Sequence, residues 1–403
     1  MLRRALVPLV TAFLLLTAGA VPTAQADARP PVPSQDPFYT PPDPLPGAAG
    51  DVLRSRKVDW HPEPFRVFPA PVQTWQVLHR STSATGEPNA VSGTVLVPPT
   101  PWLGKGPRPL VAYAMGTQGL GDQCAPSYHL RSGTEIEIAF LVQAMLKGWA
   151  VAVTDYEGLG TPGTHTYAVA QSEGRALLDV ARAATRLPET GLTPASPVGA
   201  FGYSQGGQAA AAAGELQPAY APDVKLVGVS EGGVPADLNE VAKFNDGGAA
   251  FGLVAGAAVG YSTAYPELPF TDVLNARGKD LVAKVKESCV VELGTAAPFT
   301  KLNDLTTKPD IIKDPRWQAR LAENRLGDRK PGVPIYLYHG TLDELIPFAG
   351  AEKLKARYCA LGTRLEWQPV PLAGHIVGVS VWGTNALNWL GDRFDGKPAK
   401  TTC

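Results

Sequence analysis

The pentapeptide G-x-S-x-G at residues 202–206 constrains the fold of this chain more than any other feature. The apolar residues 197–201 before it predict a short buried strand, and the Ala-rich residues 205–216 predict a helix. Strand, sharp turn and helix in this order form a nucleophile elbow, whose strained turn pushes the serine hydroxyl outward while the glycines avoid clashes. The helix N-terminus also presents free N–H groups where an oxyanion would form. Ser204 is therefore the candidate nucleophile.

The order of possible partners along the chain supports this interpretation, because the pentapeptide alone is weak evidence in a chain with 42 glycines. A fold of this kind places an acid and then a histidine after the serine. Residues 333–340 predict a strand, and Asp343 follows at its carboxyl end, where open α/β sheets place their active sites. Only one of the six histidines lies beyond Asp343, namely His375, in a predicted loop after the strand 365–370. We predict a triad of Ser204, Asp343 and His375.

Each partner has a plainer alternative. Asp343 could be only a turn or helix-capping residue, since aspartate is common at both positions. The neighbouring Glu344 could supply the acid instead, and so could Glu231, which follows an earlier predicted strand. His339 lies at a strand end and is expected only to pack there or to bond backbone.

The oxyanion hole of such a site needs two donors. The first is expected to be the backbone N–H of Gln205, which follows the nucleophile. The second is expected from the Gly-rich loop 115–119, where we favour the N–H of Thr117 over that of Gln118. The alternative is that this loop is an ordinary turn.

Alternating strands and helices predict an α/β fold with a largely parallel sheet. The predicted hairpin is 72–81 with 90–98, further strands are 109–114, 150–154, 197–201, 225–229, 333–338 and 365–370, and helices are 135–147, 172–185 and 205–216. Between residues 233 and 329 the alternation stops, and a helical insertion is expected to cap the carboxyl ends of the strands. The predicted organisation is a signal peptide at 1–26, a Pro-rich arm at 27–50, a core at 51–232 and 330–403, and a cap or lid at 233–329.

The N-terminus predicts export. Two arginines precede an apolar stretch at residues 5–21, and an A-x-A pattern at 24–26 predicts cleavage after Ala26. A membrane anchor is the alternative, but the stretch is short for a span and contains Pro8. Residues 247–264 lack charge and consist largely of Gly and Ala, which favours a packed helix in the lid over a transmembrane segment.

Four cysteines suit an exported chain, because all of them can pair in an oxidising environment. Three pairings are possible from sequence. We favour Cys124–Cys289 and Cys359–Cys403 over the other pairings and over free thiols. No cysteine or histidine pair has ligand spacing, so no metal site is predicted. The net charge of −1 gives no indication of nucleic acid or of an anionic surface as a partner.

The chain resembles the secretory lipases from about residue 36 to residue 403. The segments that carry the resemblance are 36–42, 53–56, 116–117, 124–127, 154–160, 202–207, 232–235 and 339–340 with Asp343. The resemblance implies an α/β-hydrolase core with a helical cap, hydrolysis of acylglycerol esters, no cofactor, and the two disulfides favoured above. Gln205 departs from the glycine that a well-known fungal member has after its serine, which bears on pocket shape and acyl-chain preference.

The sequence thus predicts a secreted serine ester hydrolase, a triacylglycerol lipase or carboxylesterase, that acts on acylglycerols or other esters and meets a lipid–water interface. The uncharged part of the cap is expected to bind the acyl chain through Phe251, Leu253, Val254, Val259 and Tyr261. An acyltransferase or a serine peptidase of the same fold is the alternative, although a peptidase needs acidic residues to hold a free amino terminus. A non-catalytic binding protein would normally lack a triad member.

Overall fold

A twisted sheet lies at the centre of the computed structural model, which describes residues 29–403. The described strands are β1 Val52–Val58, β2 Gln73–Thr82, β3 Pro88–Val97, β4 Leu110–Ala114, β5 Ala150–Thr154, β6 Val198–Tyr203, β7 Leu226–Gly232, β8 Ile335–Gly340 and β9 Leu365–Val370. Their order in space is β1-β2-β3-β5-β4-β6-β7-β8-β9. The pairs from β1 to β5 along this order are antiparallel, and those from β5 to β9 are parallel.

Helices cover both faces of the sheet. The core helices are α1 Pro126–Ser132, α2 Ile138–Leu146, α3 Ala170–Arg186, α4 Gln205–Tyr220, α10 Phe348–Ala360 and α11 His375–Phe394. One face packs under α3, α4 and α10, and the other under α1, α2 and α11. The five alanines 209–213 of α4 are all buried, and such small side chains let this helix lie close to its neighbours. Burying both faces in this way explains why β4, β5 and β6 inside the sheet are almost entirely apolar, whereas β9 at its edge is half-buried and carries Glu366 and Gln368.

Between β7 and β8 the chain leaves the sheet and forms five helices among the described residues, which we call the cap (residues 233–329). These helices are α5 Leu238–Asn245, α6 Phe251–Ala264, α7 Ala276–Lys286, α8 Val290–Gly294 and α9 Pro315–Glu323. Short 3-10 helices lie at Pro33–Gln35, Pro37–Tyr39, Asp122–Cys124, Pro188–Thr190, Thr271–Val273, Leu302–Asp304 and Ile311–Lys313. The cap has a hydrophobic cluster separate from the two sheet faces, centred on α6 and α9.

The predicted strands agree with the sheet to within three residues at each end, and 150–154 and 365–370 agree fully. The sequence interpretation gave no bounds for β1 or for three core helices, α1, α10 and α11. The predicted helix 135–147 begins later, at Ile138. The reason is local: Glu135 accepts a hydrogen bond from the N–H of Glu137, and this turn precedes the helix.

The predicted N-terminal arm is packed against the sheet over part of its length. Phe38 and Tyr39 are buried against β2 and β3. Asp36 forms ion pairs with Arg56 and Arg131, which join the arm to β1 and α1. The predicted signal peptide, with its cleavage after Ala26, lies outside the described residues. Within residues 29–403, no helix is both long and apolar enough to cross a bilayer.

Candidate active site

Ser204 occupies a strained turn between β6 and α4. Its backbone has φ 60° and ψ −123°, a conformation that side-chain-bearing residues rarely adopt. A Cβ atom at Gly202 would lie 2.0 Å from the carbonyl oxygen of Gly206, and one at Gly206 would lie 2.0 Å from that of Ala114. Both positions therefore require glycine, and the turn has the geometry of a nucleophile elbow.

The three predicted triad residues meet at the carboxyl edge of the sheet. His375 Nε2 lies 2.9 Å from Ser204 Oγ, and His375 Nδ1 lies 2.7 Å from Asp343 Oδ2. The sheet order brings them together, because Ser204 follows β6 while Asp343 and His375 follow β8 and β9, two and three places along the sheet. This hydrogen-bonded chain can pass a proton from the serine to a histidine whose cation the aspartate stabilises.

Asp343 is held as an ionised acceptor. Its Oδ1 accepts hydrogen bonds from the backbone N–H groups of Leu345 and Ile346, at 2.9 and 2.8 Å. Burial by itself would raise the pKa of Asp343, but hydrogen bonds from His339 and His375 outweigh burial and hold that pKa well below its usual range. The surroundings of Asp343 thus favour the charged form of its carboxylate.

His375 is the first residue of α11, whereas the sequence interpretation placed it in a loop after the last strand. The reason is that Gly374 provides an extended residue immediately before the helix, and the Leu-Ala-Gly run that suggested a loop ends there. The Glu344 carboxylate accepts a hydrogen bond from the His375 N–H at 2.9 Å, and the Tyr203 hydroxyl donates to the His375 carbonyl oxygen at 2.6 Å. These two contacts fix the backbone that carries the imidazole.

The alternatives for the acid have other surroundings. Glu344 bonds the backbone of His375 and not its ring, so it caps α11. Glu231 is fully buried on β7, and within residues 29–403 neither of its carboxylate oxygens has a hydrogen-bond partner. Burial raises the pKa of Glu231 well above its usual range. Asp343 is the acid that contacts the histidine ring.

His339 is a neighbour of the triad that the sequence interpretation only partly predicted. Its Nε2 lies 2.9 Å from the carbonyl oxygen of Ile346, which fits the expected backbone bond. The same nitrogen lies 3.3 Å from Asp343 Oδ2. The spacing of four residues between His339 and Asp343, across a turn at the end of a strand, is the sequence signal that could have predicted this contact.

Two of the three residues predicted for the oxyanion hole line the same cavity as Ser204. These are Thr117 and Gln205, whereas Gln118 is buried beside His129, with its Oε1 3.2 Å from His129 Nδ1. The Thr117 hydroxyl lies 3.0 Å from the hydroxyl of Tyr167. This placement favours Thr117 over Gln118 as the second donor, which stays a prediction.

A buried carboxylate holds the loop that carries Thr117. Glu137 accepts a hydrogen bond from the N–H of Gly116 and another from the hydroxyl of Tyr113, both at 2.7 Å. Burial raises the pKa of Glu137 above its usual value, although both of these bonds oppose the change. The sequence interpretation missed Glu137 because its partners lie about twenty residues earlier in the chain.

The cavity above Ser204 extends into the cap and has a volume of about 910 Å³, including the part open to solvent. Its walls carry no charged side chain among the residues described. Leu253, Val254 and Tyr261 line it as predicted, but Phe251 and Val259 do not and pack inside the cap. The sequence interpretation missed many other lining residues, which include Leu238, Val241, Ala257, Ala258, Leu302, Ile311, Ile312, Trp317 and Leu321.

Helix α6 explains which of its residues face the cavity. Val254, Ala257, Ala258 and Tyr261 recur every three or four residues and share one face of the helix. Val259 lies on the far side of the helix from these residues and is buried inside the cap. Phe251 lies three residues before Val254 and shares its side of the helix, but it is buried in the first turn of α6. A helical period applied to the apolar run would have separated Val259 from the lining residues, but not Phe251.

Two disulfides join distant parts of the chain in the pairing favoured from sequence. Cys124–Cys289 connects the 3-10 helix Asp122–Cys124, which follows the predicted oxyanion loop, to the start of α8 in the cap. Backbone contacts reinforce this link, since the N–H of Leu120 donates to the carbonyl oxygen of Ser288 at 2.9 Å. Cys359–Cys403 ties the C-terminal residue to α10. Residues 29–403 contain no group of histidine, cysteine or acidic side chains placed to hold a metal ion.

A serine on an elbow, with histidine and aspartate carried by later strands of a mostly parallel sheet, defines the α/β-hydrolases. The sequence model of the secretory lipase family matches residues 125–402, and the chain belongs to that family.

Named relatives agree with this assignment. Lipase 5 of Candida albicans is 30% identical over 394 residues, which cover 92% of this chain and 83% of that protein. A probable inactive lipase of Mycobacterium tuberculosis is 32% identical over 391 residues, covering 93% of this chain and 85% of that protein. The crystal structure of Candida antarctica lipase A in its closed state superposes with a TM-score of 0.83 at 26% identity, covering 93% of this chain and 89% of that chain.

Proposed function

We propose that this protein is an exported serine ester hydrolase that cleaves acylglycerol esters through an acyl-enzyme on Ser204. One observation carries the proposal: Ser204 Oγ lies 2.9 Å from His375 Nε2 at one end of an uncharged cavity. A nucleophile and base in contact supply acyl-transfer chemistry, and the apolar walls suit an acyl chain. Family membership supports export, and we infer that residues 1–26 are removed as a signal peptide.

The proposed reaction begins when His375 takes the proton of Ser204 and the serine oxygen attacks the ester carbonyl carbon. Backbone N–H groups of Gln205 and Thr117 stabilise the oxyanion, and loss of one such donor typically costs about 10²–10³-fold in turnover. His375 then gives its proton to the leaving alcohol. Water attacks the acyl-enzyme by the same route and releases the acid, so the enzyme returns to its starting state.

A non-catalytic role is the second candidate, because one relative is named a probable inactive lipase. The hydrogen-bonded arrangement of Ser204, His375 and Asp343 argues against it for this chain. A peptidase is less favoured, because the cavity walls lack the acidic side chain that would hold a free amino terminus.

The cavity gives the first test of the proposal. Replacing Ala257 by tryptophan on the cavity face of α6 should fill the acyl space, since Ala257 lines it directly. We expect kcat/KM for p-nitrophenyl palmitate to fall about 10–100-fold, while hydrolysis of the acetate ester changes little. The measurement is the initial rate against p-nitrophenyl esters from acetate to palmitate.

Ala249→Trp is the matched control, because Ala249 lies on the exposed surface of the same cap and does not line the cavity. An unchanged chain-length profile in Ala257→Trp would show that acyl chains bind elsewhere. A wild-type protein without activity on any ester would contradict the proposed reaction itself.

An apolar rim beside the triad supports contact with a lipid–water interface. The rim is defined by Leu342, Leu372, Ile376 and Val377, all of which are exposed. The two turns that carry Leu342 and Leu372 are hydrogen-bonded to each other, through Leu342 N–H to the Ala373 carbonyl oxygen and Leu372 N–H to Thr341 Oγ1. Leu372 is 82% exposed. Its backbone also has φ 58°, a left-handed conformation that is unfavourable for leucine.

We expect Leu372→Asn to lower the rate on a tributyrin emulsion about tenfold, because one apolar side chain is lost from the surface that meets the oil. Asparagine tolerates this left-handed backbone, so the turn should keep its shape. The rate on monomeric p-nitrophenyl acetate should fall much less, and comparing the two rates is the measurement. Leu103→Asn is the control, because Leu103 is 93% exposed and lies before β4. It is thus near the amino ends of the parallel strands, whereas the triad lies at their carboxyl ends. Equal losses on emulsion and monomer would exclude an interfacial role.

A further inference from the structure

The side chain of Gln205 is held in the interior by two partners. Gln205 is the first residue of α4, and its side chain is buried. Its amide nitrogen Nε2 lies 2.8 Å from Glu173 Oε1 and 3.0 Å from His165 Nε2. An amide nitrogen carries two hydrogens, so both contacts can be donated bonds. The residue that is expected to provide an oxyanion donor through its backbone is thus anchored through its side chain.

The hydrogen-bond geometry favours a neutral His165 ring. Its Nδ1 lies 2.8 Å from the carbonyl oxygen of Glu157, which can only accept, so Nδ1 carries the proton. Nε2 is then free to accept from Gln205. Burial lowers the pKa of His165 to about 4, in agreement with a neutral ring at the pH of most assays.

Glu173 is the second anchor, and its surroundings favour a neutral carboxyl group. Its Oε1 accepts from Gln205 and from the N–H of Ala168, while its Oε2 is buried without a hydrogen-bond partner within residues 29–403. No lysine or arginine of that part of the chain bonds it. Burial raises the pKa of Glu173 to about 8, although both accepted hydrogen bonds oppose the change. Below that pH the carboxyl group carries its proton.

Five other ionisable groups lie near Glu173 or share its hydrogen-bond cluster, namely Tyr156, Tyr167, Tyr261, His165 and Glu157. Burial raises the pKa of Tyr167 to about 12 and those of Tyr156 and Tyr261 well above their usual value. The change of charge expected in this cluster near pH 8 is therefore that of Glu173.

We propose that Glu173 and His165 are positioning residues that hold Gln205, and through it the oxyanion N–H, and that the site works only while the Glu173 carboxyl is neutral. The proposal rests on the proposed function. Loss of the anchor would let the first turn of α4 shift, and small misplacements of catalytic groups are costly. Ionisation would place a negative charge one side chain away from the developing oxyanion, where it opposes the reaction.

The test uses two substitutions of Glu173 in the full chain. Glu173→Gln keeps the shape of the neutral carboxyl group and its acceptor oxygen, so it should retain kcat at pH 7 within a few-fold. Glu173→Leu removes the acceptor and should lower kcat about 10–100-fold with little change in KM. Wild-type kcat should fall above about pH 8 because Glu173 ionises, and this fall should be absent in Glu173→Gln.

Glu135→Gln is the matched control. Burial also raises the pKa of Glu135 to about 8, but Glu135 bonds the N–H of Glu137 and not Gln205. The alkaline fall should therefore persist in this variant. If the fall disappears in Glu135→Gln and persists in Glu173→Gln, the proposal is overturned. Full kcat in a folded Glu173→Leu protein would overturn it as well.

A second readout separates this inference from the proposed function. Labelling of Ser204 by a fluorophosphonate also needs the oxyanion hole, but it does not need an ester substrate. The pH dependence of the labelling rate should show the same difference between wild type and Glu173→Gln. A protein that neither hydrolyses esters nor labels would contradict both proposals, whereas one that labels with an unchanged pH profile in Glu173→Gln would contradict the positioning role alone.

Discussion

Replacement of Ser204 by alanine should lower kcat for ester hydrolysis about 10⁶-fold, the loss expected when the nucleophile of a hydrogen-bonded triad is removed. No other group in the described cavity is both nucleophilic and in contact with His375. The fold should remain, because alanine keeps the Cβ atom of serine and lacks only the hydroxyl group. The measurement is kcat with p-nitrophenyl butyrate, with a thermal melt of each protein to verify folding.

Ser380→Ala is the control for the Ser204 experiment. Ser380 is exposed on α11, five residues after His375, and its hydroxyl donates only to the carbonyl oxygen of Ile376. This variant should keep wild-type kcat. Activity that survives in Ser204→Ala would remove the serine mechanism from consideration. Absence of activity in the wild type would place this chain with its relative that is named a probable inactive lipase.

Asp343→Asn should lower kcat about 10⁴-fold while leaving the geometry intact. The asparagine amide cannot stabilise the imidazolium ion that forms when His375 takes the serine proton, and its NH₂ group favours the wrong tautomer of the ring. The pKa of Asp343 is held well below its usual range, so protonation of this carboxylate should not limit the wild-type rate at mildly acidic pH. The pH profile of kcat and its value at the optimum are the two measurements.

Glu344→Gln is the matched control for Asp343→Asn, because it removes a charge from the adjacent residue. The amide oxygen of glutamine can still accept the hydrogen bond from the His375 N–H. We therefore expect a change of only a few-fold. If Glu344→Gln loses as much activity as Asp343→Asn, the two carboxylates share the role of the acid and the assignment to Asp343 alone is wrong.

The features of the fold and of the candidate site that could be predicted from sequence depend on neighbours in the chain or on order along it. The elbow at Ser204 is encoded within a dozen residues, since the strand, the glycines and the helix all adjoin the serine. Asp343 and His375 could be predicted as candidates because the fold fixes the order of the acid and the histidine after the serine. The parallel strands inside the sheet were recognisable as buried apolar segments, which the sheet requires when both faces are covered, whereas the edge strand β9 is half-buried.

What the sequence did not predict depends on contacts between distant segments. Nothing near His375 indicates that the Glu344 carboxylate, thirty-one residues earlier, bonds its backbone and starts a helix there. Glu137 and Glu173 look like ordinary helical or surface acids until the fold buries them beside Gly116 and Gln205. The wall of the cavity above Ser204 was only partly predicted for the same reason, since α5, α9 and the 3-10 helix at Ile311–Lys313 contribute to it.

The link between Cys124 and Cys289 has a consequence for modular engineering of this architecture. The cap enters from β7 and returns into β8, which are paired neighbours, so on peptide connectivity alone it is an insertion that could be exchanged as a cassette. The disulfide adds a third covalent junction, on the far side of Ser204 from those two. A cap taken from another chain would therefore need a cysteine at the corresponding place. Without it, the transferred cap would be covalently attached to the core only at β7 and β8.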